Sequence, residues 1–285
     1  MVRPIFWSLL VVLSAACAQL PKAELQAYSE AVVAARSAAE PIIADYAIAE
    51  RGQRLRVMKA DSERAYTEFF PSFRTSDSAA LSTLSLPPGA AAVDRSFRAV
   101  GNYTDTLVAL AENRNIDEAR GQVRQILDDL GGIAPQATVA AGAIKPVADL
   151  LITALSPAIQ ADNREQFRRI VLDGYPHVDA LIGVLRDHTP TQFSTTTSAL
   201  QRAVQADPPP TNRDELIERI NGWHRAYADY VALLDITDQR LGELHAAVEQ
   251  PRSAPLLQRA AAGASELRAY ADALRLSLAE LRAQP

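Results

Sequence analysis
Residues 255–281 read PLLQRAAAGASELRAYADALRLSLAEL, and their spacing decides the fold. Leu257, Ala260, Ala264, Leu267, Ala271, Leu274, Leu278 and Leu281 recur in strict alternation of three and four residues. That is the seam of a helix that packs along its whole length against other helices at a shallow angle. The preceding segment carries the same signal. Leu216, Ile220, Trp223, Tyr227, Val231, Leu234, Leu241, Leu244 and Val248 line one side without a proline until Pro251. The short connection around Pro251–Pro255 forces the two helices into an antiparallel hairpin over 211–285. Helices of about 35 residues at 1.5 Å each make rods near 50 Å.

Upstream, Asp207-Pro208-Pro209-Pro210 separates the hairpin from a middle region, because proline runs are stiff and extended. Near the N-terminus Pro21 opens a helix. Leu25, Tyr28, Val32, Ala35, Ala39, Ile42 and Tyr46 form a third heptad seam. Pro41 is expected to kink or interrupt it, Gly52 to end it, and a second helix to run over 53–70. This N-terminal helix is expected to pack on the C-terminal hairpin, since all three share the spacing. Residues 71–92, rich in Ser and Pro, read as a loop with a helical turn near Ala79–Leu84.

The middle, within 22–206, continues in helices. Val93, Phe97, Val100, Thr104, Leu107 and Ala111 define one. Asn115 caps the next, which carries Ala119, Val123, Ile126 and Leu130 inward and stops at Gly131-Gly132. Residues 136–160 are the most apolar, with Lys145 and Asp149 four apart and able to pair. They read as a central helix buried on most sides; the rival reading is a lipid-binding segment. Asp162 and Glu165 look like a capping box for a stripe of Phe167, Ile170, Val171, Val178, Leu181, Ile182 and Leu185. Gly174 and Pro176 interrupt it, and Thr189-Pro190 signals a fresh start. There is no strand pattern. The fold class is all-α: an elongated antiparallel helical bundle with long coiled-coil-like helices.

The first seventeen residues are MVRPIFWSLLVVLSAAC. One charge, Arg3, precedes an apolar run over Ile5–Leu13, and small residues lead to Cys17, the only cysteine. This is the form of a secretory signal peptide, too short to span a bilayer. Leu13–Cys17 resembles the lipobox of bacterial lipoproteins, with Ser14 at the position where leucine is preferred. The resemblance implies cleavage after residue 16, lipidation of Cys17, a short tether over 17–21 and a permanent membrane anchor. Ala18 and Gln19 lack the aspartate that retains such proteins in an inner membrane. The implied location is therefore the outer membrane, facing the periplasm; a soluble periplasmic or secreted protein is the alternative.

Net charge is −5, and no basic cluster is denser than Arg51–Arg56, which disfavours nucleic acid as a partner. His177, His188, His224 and His245 have no metal-binding spacing, and no nucleophile or phosphate-loop motif occurs. No cofactor or catalytic residue is expected; an enzyme here would need a deep pocket with convergent ionisable groups. The one unusual cluster is Trp223, His224, Tyr227 and Tyr230, which reads either as an interaction face or as core and rim filling. The composite expectation is a non-enzymatic envelope lipoprotein, tethered to a membrane and presenting a helical surface to a protein partner.

Overall fold
A computed structural model describes residues 22–64, 75–134, 138–250 and 254–283. The signal segment and Cys17 lie outside them, as do Phe69 and Phe70 at the expected end of the second helix. The described residues are helical, with no strand: α1 (Lys22–Arg64), α2 (Thr75–Leu81), α3 (Pro88–Ala111), α4 (Ile116–Gly131), α5 (Val139–Leu155), α6 (Arg164–Asp173), α7 (Tyr175–Val204), α8 (Arg213–Glu249) and α9 (Ala254–Ala283). A single 3-10 turn, Ser156–Gln160, follows α5.

The heptad seams of α1 and α9 lie inside, whereas Leu216, Ile220, Trp223 and Val231 of the α8 seam are only half-buried. All seven seam residues of α1 are buried, as are Ala260, Ala264, Leu267, Ala271, Leu274, Leu278 and Leu281 of α9. α8 and α9 form an antiparallel hairpin, fixed by Ser277 on Asp229 near one end and by Arg240 on Glu266 toward the other. Gly263 makes room for Arg240 to cross between them, because a Cβ there would strike its side chain. α1 packs along α9, but the two run parallel. Arg268, Arg275 and Arg282, one heptad apart, donate to the carbonyls of Ala27, Ala34 and Pro41 at 3.5, 3.1 and 3.5 Å. Two of them also pair with acids on α1, Arg268 with Glu30 at 2.8 Å and Arg282 with Asp45 at 2.7 Å. α3 runs antiparallel to α1, and α7 antiparallel to α8, which together enclose the remaining core.

Several expected breaks are absent. α1 is continuous through Pro41 and Gly52, and α7 through Pro190. A proline inside a helix leaves the carbonyl four residues earlier without its donor. For Pro41, Pro146 and Pro190 those carbonyls belong to Ser37, Gly142 and Arg186, all exposed, so water can replace the lost bond. α3 starts at Pro88, earlier than its apolar stripe, with proline in the first turn where no donor is needed. The short helix of the 71–92 region is α2 at Thr75–Leu81, not 79–84. The cap of α6 is Asn163, which accepts from Gln166 N at 2.9 Å, while Gln166 accepts from Asp162 N. The cap is thus one residue later than the Asp162–Glu165 reading, and the reciprocal bond of a capping box is replaced by one from Gln166 to the amide before the cap. Asn115 does cap α4, and Gly132 closes it.

α5 departs most from expectation. Its inner side, Ala140, Ala141, Ile144, Ala148, Leu151 and Leu155, is buried. Its outer side is not: Val139 is 74% exposed and Leu150 54%, with Ala143 and Pro146 on the same face. α5 is thus a peripheral helix rather than a central one buried on most sides. It meets α3, α4 and α7 with one side, and nothing among the described residues covers the other.

Candidate functional site
A groove of about 710 Å³ opens where α1, α2 and α7 meet the N-terminal ends of α3 and α5. α1 supplies Tyr46, Glu50, Gln53, Arg54 and Val57; α7 supplies Thr191 and Thr195. Ala79 and Ala80 of α2, Pro88 of α3, and Thr138 and Val139 at the start of α5 complete it. Side chains four residues apart on α1 (Tyr46, Glu50, Arg54) and on α7 (Thr191, Thr195) share one helical face, which is why two straight helices suffice to build both walls.

The polar groups of the groove are largely committed. Glu50 accepts the amides of Gly89 and Ala90 at 2.9 and 3.0 Å, so a carboxylate from α1 caps the positive end of α3. Burial raises its pKa, opposed by those two amides and by Arg51. Arg51 itself closes the neighbouring loop by donating to the carbonyls of Ser82 and Ser85 at 2.9 and 2.8 Å. Arg54 is half exposed and stands 3.9 Å from Asp77. Thr138 caps α5 by accepting from Ala141 N. The Tyr46 phenol is pushed up by burial and by Glu50, so it stays protonated and can only donate or accept a hydrogen bond. The rest of the lining is Val57, Ala79, Ala80, Pro88 and Val139, with the Gln53 amide and the Thr191 and Thr195 hydroxyls as its remaining polar groups. A groove of this kind can seat an apolar group and orient it by hydrogen bonds at the rim.

Behind Tyr46 the core changes character. The buried stripe of α7 runs Val178, Leu181, Ile182 and Leu185, and then turns polar at His188, Thr189, Gln192 and Thr197. His188 meets the edge of Tyr46, ring centroids 6.5 Å apart, and burial lowers its pKa, so the imidazole is neutral. Its Nε2, both amide atoms of Gln192 and the hydroxyl of Tyr230 are buried without a hydrogen-bond partner. Gln192 is a polar neighbour of the Tyr230 hydroxyl, yet the pair falls short of bonding geometry. Tyr227 fares better: its hydroxyl lies 2.9 Å from Thr196 Oγ1.

The cluster expected on α8 therefore divides. Tyr230 is wholly buried and Tyr227 is 4% exposed, so both belong to the core and not to an exposed face. Trp223 is half-buried against the same core, and only His224 is exposed, packed on Phe193 at 4.2 Å. The rings form one chain through the bundle: Trp223 to Tyr227 at 6.0 Å, Tyr227 to Tyr230 at 6.2 Å, and Tyr230 to Phe97 at 5.9 Å. The reason is geometric. Positions 223, 227 and 230 lie on the face of α8 that meets α7 and α3, so the side chains that look like a surface cluster in one dimension are turned inward.

The sequence reading did not find the groove. Its residues are ordinary ones, drawn from five helices, and none belongs to a motif. One signal was available: the polar replacement at 188, 189 and 192 continues the apolar stripe of α7 in phase. No known protein family, curated protein or solved structure matches this chain. Among the described residues no group of three or more His, Cys, Asp or Glu side chains is placed to hold a metal ion.

Proposed function
We propose that this chain is a non-enzymatic lipoprotein of the bacterial envelope: a helical interaction module tethered through Cys17 to the periplasmic face of the outer membrane. Its partner is an envelope protein, and the groove beside Tyr46 receives an apolar side chain of it. The observation that carries this reading is the state of the groove's ionisable groups. Glu50 holds main-chain amides, Tyr46 is kept neutral, and Arg54 sits at the rim. The arrangement supplies shape and orientation, with no nucleophile set beside a base.

Two experiments test it. Labelling with a clickable fatty acid should mark the wild type and leave Cys17→Ala unmarked; an unlabelled wild type removes the tether. Filling the groove with Ala80→Trp should abolish co-purification of the envelope partner while leaving helical content unchanged. Undiminished recovery of the partner removes the groove from the account.

A second reading rests on α5. Val139–Gln160 is long and apolar enough, by length and composition, to cross a membrane. Ile144, Ala148, Leu151 and Leu155 are part of the core, however, so the segment would have to leave the bundle to span. With its inner side packed, it could contact lipid only by lying along the surface, Val139 and Leu150 downward. Deleting this helix would remove core residues, so the cleaner test is Val139→Asp with Leu150→Asp in liposome flotation. Loss of flotation supports the lipid reading, and flotation that the two aspartates do not alter ends it.

A further inference from the structure
Part of the groove's hydrogen-bonding capacity is left unused by the fold, and it falls in two places. α1 and α7 lie side by side and run the same way: Tyr46 meets His188, and ten residues on Arg56 meets Ser198. At the inner level, a Cβ on Gly89 would stand 2.9 Å from both the Tyr46 hydroxyl and Glu50 Oε2, so these groups meet at the start of α3. Thr191 of α7 faces them. At the outer level, one turn further along, Arg54 and Gln53 face Thr195.

Glu50 is the one acid in the lining, and it is taken: it accepts the Gly89 and Ala90 amides, and Arg51 offsets its charge. The others are not. Tyr46 is only 4% exposed, yet its hydroxyl bonds to no described residue. Thr189 and Thr197 bond back to carbonyls one turn earlier; Thr191 and Thr195, on the same helix, do not, and their hydroxyls remain for the groove. Arg54 stands 3.9 Å from Asp77, at the limit of an ion pair, and donates no hydrogen bond to the described residues. The start of α5, at Thr138 and Val139, adds the positive end of a helix to the same wall. The free charge of the groove is therefore positive, and it lies beside an apolar surface of Ala79, Ala80, Pro88 and Val139.

We propose that the groove captures the C-terminus of the partner protein, with the terminal carboxylate on Arg54 and Thr195, a main-chain carbonyl two residues earlier on the Tyr46 hydroxyl, and an apolar last side chain against Ala79, Ala80 and Val139. This rests on the reading of the groove as a partner site and names the part of the partner that enters it. The spacing selects a peptide. The Tyr46 hydroxyl reaches the level of Glu50, about 6 Å along α1 from Arg54, which is about the length of two extended residues. A fatty acid would satisfy Arg54 but lay methylenes against the buried hydroxyl, which is costly. Capture of a terminal carboxylate is a recurring mode of peptide recognition.

The test is isothermal titration of the full chain in detergent with acetyl-Ala-Ala-Ala-Leu, as the free acid and as the C-terminal amide, and with octanoate. The acid should bind at least tenfold more tightly than the amide. Arg54→Gln should abolish that preference, and Arg54→Lys should restore part of it. Tyr46→Phe should weaken acid and amide alike, by roughly threefold to tenfold, and Ala80→Trp should abolish binding of both. Thermal midpoints of the variants near that of wild type show that the fold is kept. Acid and amide binding equally, both lost in Ala80→Trp, would overturn the carboxylate and leave the groove as a partner site. Binding of neither peptide overturns the proposal too, while recovery of the envelope partner with Ala80→Trp judges the groove separately. Octanoate that binds as tightly as the peptide acid and displaces it would make this a fatty-acid site and would also overturn it.

Discussion

The seam joining α1, α8 and α9 and the second half of α7 are built from the same element, a long helix, yet they are opposite in chemistry. The seam buries mostly small and aliphatic side chains, with Tyr28 and Tyr46 among them, and fixes the register of α1 on α9 with arginines one heptad apart. The α7 stretch from His188 to Thr197 buries an imidazole, an amide and two threonines, and leaves several polar atoms without partners. The first region is closed and has every reason to be stable. The second borders the groove, carries unmet hydrogen-bonding capacity and gives less to stability. Regions that bind are commonly the less stable ones, and the contrast locates the end of the molecule where recognition is proposed.

The largest test of the contrast is in the seam. Leu274 is fully buried on α9, so Leu274→Ala should cost about 2–5 kcal/mol in urea denaturation. A cost under about 1 kcal/mol would mean the seam is not packed as described. Next comes Glu50→Ala, which strips the acceptor from the Gly89 and Ala90 amides and should cost about 1–2 kcal/mol. Gln192→Met sharpens the comparison from the other side. It replaces an unpartnered buried amide by an apolar chain of similar volume, and stability should stay within about 1 kcal/mol of wild type or rise. A loss of about 2 kcal/mol would show that the amide has a partner in solution, such as an ordered water. The smallest effect belongs to Arg275→Gln, an exposed rung of the α1–α9 ladder, at under about 0.5 kcal/mol by the same denaturation.

Much of this was legible because heptad spacing is a physical constraint and not a convention. The seams of α1 and α9, the stripe of α3, the Asn115 cap and the Lys145–Asp149 pair all depend on neighbours within one turn, which sequence states directly. What failed depended on which way a side faces. The effect of Pro41 and Pro190 turns on whether the freed carbonyl can reach water, which sequence does not state; Ser37 and Arg186, which carry those carbonyls, are exposed. Apolar content cannot distinguish a helix buried all round from one with an uncovered apolar side, so the sequence of α5 fits a central helix as well as a peripheral one. The spacing of Tyr227 and Tyr230 fits both an inward and an outward stripe, so sequence alone does not turn them inward. The groove was invisible for a stronger reason: Tyr46, Ala80, Val139 and Thr195 meet only in three dimensions.

Site-specific photo-crosslinking in intact cells tests the central claim most directly. A probe at Thr195, in the groove, is compared with one at Leu276, 65% exposed on the outer face of α9. The account predicts one discrete adduct with an envelope protein from Thr195, lost on adding Ala80→Trp, and none from Leu276. Equal adducts from both positions, or a Thr195 adduct that survives the filled groove, would contradict it.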